Sequence, residues 1–194
     1  MFSLPTAITI HDKSYKIRNN GDYRMVIDCF KALNDEELDD TLRVLSARVI
    51  FYKDCKSLKS PVDLFGEYIT DAISEMYNFF NCGQKSVGSV QPHKLMDWEE
   101  DSQLICAAVN NVAGKEVRSL EYLHWWTFMG YYLSLGESAF TTVVSIRDKI
   151  IKHKTLDKWE KEFKQNNPEY FIIDIRTNEE KDFENELRKL WDSQ

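Results

Sequence analysis

The sequence predicts a mainly α-helical protein: a helical bundle with a small N-terminal β-hairpin and a charged C-terminal extension. Apolar residues recur at spacings of three and four over most of residues 22–151, as they do in amphipathic helices. From residue 152 onward, charged side chains of both signs interleave and apolar residues become sparse. We therefore expect a helical core domain with its hairpin in residues 1–151 and an amphipathic, charge-rich extension in residues 152–194.

Composition narrows the class of protein. The chain has 194 residues, 43% of them hydrophobic, which is enough for one packed core. A net charge of -7 disfavours nucleic acid as a partner, because phosphates are bound by clustered Lys and Arg. The N-terminus lacks the pattern of a signal peptide, and no apolar run reaches the roughly 18 residues that span a bilayer. We expect a soluble, cytoplasmic protein that binds neither nucleic acid nor membrane.

The first twenty residues predict the β-hairpin. Ile8 and Ile10 alternate with polar neighbours, the HDKS sequence provides a turn, and Tyr15 and Ile17 alternate again. Two strands alone are marginally stable, so the hairpin should lie on the helices that follow.

Three helices are predicted between residues 22 and 83. The first begins at Asp22, and its buried face holds Met25, Val26, Cys29, Phe30 and Leu33. The second is capped by Asn34 and starts with three acidic residues, and its apolar stripe is Leu38, Leu42, Leu45, Val49 and Tyr52. The third begins near Pro61 and ends before Gly83.

Three more helices are predicted between residues 97 and 151, after an exposed loop at 83–95. Asp97 and Glu100 form a capping box for the first, whose stripe is Ile105, Ala108, Val109 and Val112. The second runs from a Ser119 cap to about Leu135 and is apolar on nearly every side, which favours the centre of the bundle. The third buries a face that contains Phe140, Val143, Val144, Ile150 and Ile151.

Two opposite charges fall on neighbouring apolar stripes. Asp101 lies on the stripe of one helix, and Arg147 lies in the middle of the face of another. A lone charge in a helical interface carries a desolvation cost of several kcal/mol, so we hypothesise that Asp101 and Arg147 pair. The alternative is that Arg147 extends its guanidinium to water while Asp101 lies at a frayed helix end. Either role is structural.

The sequence His124, Trp125, Trp126 raises the question of catalysis, because histidine is the commonest general base. The four histidines share no spacing for a metal, and no nucleophile or phosphate-binding motif accompanies them. We expect His124 to be a hydrogen-bonded core residue between large aromatics, and we expect no catalytic residue, cofactor or metal. An enzyme would instead need a polar pocket around His124.

The C-terminal extension predicts two amphipathic helices and a short strand. A helix from Thr155, ended by Pro168, presents Trp159 and Phe163, and a last helix presents Phe183 and Trp191 with two leucines. Between them, the sequence YFIIDI could form a strand. These narrow stripes can dock on their own domain, on a second copy or on a helical partner. We take the four aromatic residues as candidate partner-binding residues.

Residues 96–151 contain three structural motifs at short separations. A helix carrying Trp98 precedes the His124–Trp125–Trp126 helix, and a third helix contains the sequence SIRDKI. With this arrangement the chain resembles the small tail assembly chaperone family of long-tailed bacteriophages, the phage family conventionally numbered fifteen. The resemblance covers residues 4 to 151, and the region beyond 151 falls outside it.

The resemblance implies a protein encoded beside the gene of the very long tape measure protein. Such proteins keep the tape measure soluble until tail tube subunits polymerise around it, and they are absent from the finished virion. It therefore implies the tape measure and tail tube proteins as partners, with a possible homo-oligomer, in the cytoplasm of the infected bacterial host. The alternative is a structural minor tail or connector component that stays in the virion.

Overall fold

A computed structural model of the chain describes residues 3–55, 62–84 and 95–172. These residues fall into two compact units, the first within Met1–Val87 and Val109–Leu135 and the second within Gly88–Ala108 and Gly136–Gln194. The strands are β1 (Ala7–Ile10) and β2 (Lys13–Lys16). The helices are α1 (Tyr23–Leu33), α2 (Asp40–Phe51), α3 (Val62–Phe65), α4 (Ile69–Phe80), α5 (Ser102–Ala113), α6 (Trp125–Leu133), α7 (Ala139–Ile151) and α8 (Lys158–Asn166).

The predicted fold class, mainly α-helical with an N-terminal β-hairpin, is confirmed. Strands β1 and β2 pair antiparallel with Ile8 opposite Tyr15. The turn between them has positive φ at His11 (43°) and Asp12 (63°), which matches the twist of a two-residue hairpin. The hairpin lies on helical residues as expected, because the Tyr15 ring is 4.8 Å from the ring of Phe65.

Helix α1 follows the sequence pattern closely. Asp22 is its N-cap, and its carboxylate accepts a hydrogen bond from the Arg24 backbone N–H at 3.0 Å. The expected residues Met25, Val26 and Cys29 are buried.

The prediction for α2 was wrong at its start and on its buried face. Asn34 ends α1, and α2 begins six residues later because the Asp39 carboxylate caps the Leu42 N–H at 2.9 Å. The residues between form a turn instead. The helix then buries Ala47, Arg48 and Phe51; of the predicted stripe, Tyr52 is buried as expected, whereas Leu42 is exposed. The local sequence offered more than one possible N-cap, and contacts with the rest of the unit decided which face of the helix is buried.

The predicted third helix is interrupted. Helix α3 ends at Phe65, and a 3₁₀ turn at Gly66–Tyr68 separates it from α4. Gly66 has a φ of +56°, which an α-helix does not accommodate. The predicted end was correct, since α4 stops at Phe80, before Gly83.

Helix α6 is shorter than predicted. Val117–Ser119 forms a 3₁₀ turn, and α6 starts at Trp125 with His124, not Ser119, as its N-cap. The helix buries Trp125 and Phe128, but Leu133 is 68% exposed, which does not fit the central position that its apolar sequence favours.

In the second unit, residues 98–101 form a turn before α5, so Trp98 precedes the helix instead of lying within it. Ser138 caps α7 through a capping box with Thr141. Asp157 and Glu160 form another box at the start of α8. The predicted strand in YFIIDI was wrong for its first two residues, which end the 3₁₀ turn Pro168–Phe171.

Several predictions fall outside the described residues. These are most of the loop at 83–95, the rest of the YFIIDI strand, and the last helix with Phe183 and Trp191. The domain boundary after residue 151 stays a prediction.

Candidate functional site

The two tryptophans at the start of α6 each bind the end of α4 in the first unit. The indole N–H of Trp125 donates to the Phe80 carbonyl at 2.9 Å, and that of Trp126 donates to the Phe79 carbonyl at 2.9 Å. These carbonyls belong to the last turn of α4, where the regular helical donors run out; the Phe79 carbonyl also accepts from the Cys82 backbone N–H at 3.0 Å. The two indoles thus provide hydrogen-bond donors for the C-terminal carbonyls of α4. Trp125 is 1% exposed, and Trp126 is half-buried.

His124 is a buried helix cap. Its Nδ1 accepts a hydrogen bond from the Trp126 backbone N–H at 3.0 Å, so the neutral ring carries its proton on Nε2. That Nε2–H donates to the Pro5 carbonyl at 3.0 Å. Burial lowers the pKa of His124, although the hydrogen bond to Pro5 and the charge of Asp22 oppose that shift. Both ring nitrogens bind backbone atoms, which is the arrangement expected of a hydrogen-bonded core histidine.

Gly21 and Asp22, which precede α1, lie close to His124 and its neighbour Leu123. Gly21 has a φ of +79°, and a Cβ placed there would lie 2.8 Å from Cζ of Phe79 and 3.0 Å from Nε2 of His124. The Asp22 carboxylate accepts from the Leu123 backbone N–H at 3.0 Å and from the Arg24 guanidinium. The Asp22 carboxylate therefore makes structural hydrogen bonds. Position 21 requires glycine, because any side chain there would collide with Phe79 and His124.

In the second unit, Asp101 and Arg147 form a buried ion pair. Nη1 of Arg147 donates to Oδ2 of Asp101 at 2.7 Å, and Nη2 donates to Oδ1 at 2.9 Å. Both side chains are 2% exposed. Asp101 also accepts the Asp97 backbone N–H at 3.0 Å. Asp97 does cap the turn that follows it, but the reciprocal acceptor is Asp101 and not the predicted Glu100.

Arg147 also binds two backbone carbonyls that sequence reasoning missed. Its Nη1 donates to the Leu95 carbonyl at 3.1 Å, and its Nε donates to the Tyr170 carbonyl at 3.0 Å. Nη2 makes a second bond to Tyr170. A carbonyl is present at every residue, so no sequence signal could have singled these two out.

The partner-binding candidates Trp159 and Phe163 lie together on α8. Their ring centroids are 5.4 Å apart, and Trp159 is 57% exposed while Phe163 is half-buried. Helix α8 is joined to α7 next to this pair, because Nζ of Lys149 donates to the buried carboxylate of Glu160. That hydrogen bond lowers the pKa of Glu160. Phe183 and Trp191 lie outside the described residues.

Within the described ranges, no group of three or more His, Cys, Asp or Glu side chains could hold a metal ion. A separate search of the same residues found no helix with the length and apolar character needed to cross a membrane.

These observations define a class: a mainly α-helical protein whose buried histidine, aspartates and arginine bind its own backbone, and whose helix α8 exposes Trp159 beside a half-buried Phe163. The chain belongs to the Bacteriophage Gp15 protein family, whose model matches residues 2–172, and it is therefore a bacteriophage protein. The match extends past residue 151, so the expectation that the resemblance ends there was wrong. No match was found among curated proteins or among solved structures.

Proposed function

We propose that this phage protein is a tail assembly chaperone. It holds the tape measure protein soluble and helps recruit tail tube subunits, in the cytoplasm of the infected host, and it does not remain in the virion. It acts by binding and not by catalysis. The observation that carries the proposal is the accessible Trp159, paired with Phe163 on α8, in a member of this phage family.

The physical reasoning starts from the partner. A tape measure is a long helical protein whose apolar stripes stay exposed until the tube encloses it, which makes it prone to aggregation. A chaperone should cover such stripes reversibly, so that tube subunits can replace it. Several weak contacts between helices meet that requirement better than one tight site.

Helix α8 has features suited to weak, reversible binding. Trp159 and Phe163 are four residues apart and share one side of the helix. Tryptophan is enriched among the few residues that contribute most of the binding energy at protein interfaces. The helix also carries charged residues at most other positions, so a partner would meet a small apolar site inside a polar surround.

Co-expression with the tape measure protein encoded in the same phage tests the proposal. The wild-type chain should keep the tape measure in the soluble fraction and co-purify with it. A variant with Ser in place of Trp159, Phe163, Phe183 and Trp191 should lose both effects. Leu133→Ser is the matched control, because Leu133 is exposed and apolar but lies on α6. Unchanged binding by the four-residue variant would rule out this surface.

Mass spectrometry of purified virions separates the chaperone from a structural tail component. We expect the chain in infected lysate and not in particles. Stoichiometric amounts in particles would instead indicate a minor tail or connector protein.

A further inference from the structure

Helix α8 is tied to α7 at both of its ends. Near its start, Lys149 on α7 binds Glu160, and the other Glu160 oxygen accepts the Asp157 backbone N–H at 2.9 Å. Just beyond its end, the Tyr170 carbonyl accepts two hydrogen bonds from Arg147. The segment that carries Trp159 and Phe163 is therefore held to α7 by hydrogen bonds at both of its ends.

The tie at Arg147 is the buried one. Its guanidinium has five N–H bonds, and it makes five hydrogen bonds: two to Asp101, two to the Tyr170 carbonyl and one to the Leu95 carbonyl. The carboxylate of Asp101 fixes the plane of the guanidinium, because a two-bonded pair has one favoured geometry. With that plane fixed, Nε and one Nη2 hydrogen point at Tyr170.

We propose that Arg147 is a positioning residue for the partner surface on α8. It does not touch the partner; it holds the Tyr170 carbonyl so that Trp159 and Phe163 are presented in one orientation. The inference rests on the proposed function, because it takes the aromatic pair as the binding surface. A surface that is ordered before binding loses less conformational entropy when the partner arrives.

Lysine cannot replace arginine in this role. An ammonium group has three donors around one atom, whereas the guanidinium points donors at Asp101 and at Tyr170 from two different edges of one plane. Arg147→Lys therefore keeps the charge partner of Asp101 and loses the fixed donors to Tyr170. The substitution therefore distinguishes the effect of the ion pair with Asp101 from the effect of the hydrogen bonds to the Tyr170 carbonyl.

Hydrogen exchange of the full-length protein tests the first half of the inference without any partner. In Arg147→Lys, amide exchange over residues 158–171 should rise about tenfold or more, while α1 and α4 keep their protection. Arg48→Lys is the matched control, because Arg48 is also fully buried but lies on α2. It should not raise exchange selectively in 158–171. Equal exchange in that segment for Arg147→Lys and wild type would overturn the proposal.

Binding of the co-expressed tape measure protein tests the second half. Arg147→Lys should weaken binding about tenfold, in step with the release of the segment. A released segment with unchanged affinity would overturn the positioning role. If the variant with four serines also binds normally, the aromatic surface itself is wrong; if that variant alone loses binding, the surface stands and only the inference fails.

A second variant covers the case in which Arg147→Lys does not fold. Lys149 is one-third exposed, so Lys149→Gln should fold normally. We expect faster exchange confined to the first turn of α8 and a smaller loss of tape measure binding. Unchanged exchange there, together with unchanged binding, would show that the hydrogen bond from Lys149 to Glu160 does not position α8.

Discussion

Asp101 and Arg147 face each other through two hydrogen bonds of 2.7 and 2.9 Å, with both side chains almost completely buried. The pair joins the turn before α5 to the middle of α7. Burying two charges is costly, and the Asp97 N–H and two carbonyls supply the further hydrogen bonds that such a pair requires.

Removing one partner of this pair should destabilise the protein strongly. Arg147→Met leaves the Asp101 carboxylate buried without its counter-charge, so we expect the free energy of unfolding to fall by about 3–5 kcal/mol. Denaturation in urea measures the loss. Lys158→Met is the control, since the Lys158 side chain is 93% exposed, and it should have little effect. Similar losses in the two variants would contradict a buried pair.

The stability of the protein should fall in mild acid because of His124. Burial lowers the pKa of His124 in the folded state below its ordinary value of 6.5. The unfolded chain then binds more protons as the pH falls through about 6.5 toward the folded value, so the free energy of unfolding decreases in that window. The stability that depends on neutral His124 is fully present above about pH 6.5 and is lost as the pH falls through this window. Urea denaturation at a series of pH values measures this slope.

A substitution at His124 isolates its contribution to the slope. In His124→Asn, the amide oxygen can still accept the Trp126 N–H, but the group does not titrate. The decrease below about pH 6.5 should be smaller in this variant. His153→Asn makes the same replacement at an exposed histidine and is the matched control for the substitution itself. A variant at position 124 with the wild-type slope would exclude His124 as the source.

Gly21→Ala should destabilise the first unit. Its φ of +79° is unfavourable for alanine, and the new Cβ would lie 2.8 Å from Cζ of Phe79. We expect a loss of about 1–3 kcal/mol or more in thermal or chemical denaturation. Gly136→Ala, where no atom lies within 4 Å of the added Cβ, should change stability little. Equal stability of the two variants would show that position 21 can accommodate a side chain.

Cys29 should resist alkylation in the folded protein. Burial raises the pKa of its thiol, and the thiolate is the reactive form. Cys82 is only half-buried and should be labelled by iodoacetamide first, although burial also raises its pKa. Mass spectrometry of peptides after timed labelling gives the order, and urea should make both thiols reactive. Early labelling of Cys29 in the native protein would contradict the packing of α1.

Features of the fold that depend on neighbouring residues could be predicted from the sequence, and features that depend on distant contacts could not. Asp22 begins α1 as expected, because the cap and the apolar stripe lie within a few residues of each other. The burial of Arg48 was missed, since an arginine on a helix is more often at the surface. The start of α6 was missed because Ser119 is a better cap by type than His124, and only contact with Pro5 and Trp126 favours the histidine.

The sequence by itself determined the helical class, the hairpin and the presence of opposite charges at positions 101 and 147. Periodicity and local caps carry that information, because they depend on neighbours within one or two turns. Only the tertiary structure decided where α2 and α6 begin, which face of α2 is buried and that Arg147 binds the Tyr170 carbonyl. These outcomes depend on donors and acceptors from distant parts of the chain, and every buried polar group must find a partner wherever the fold places one.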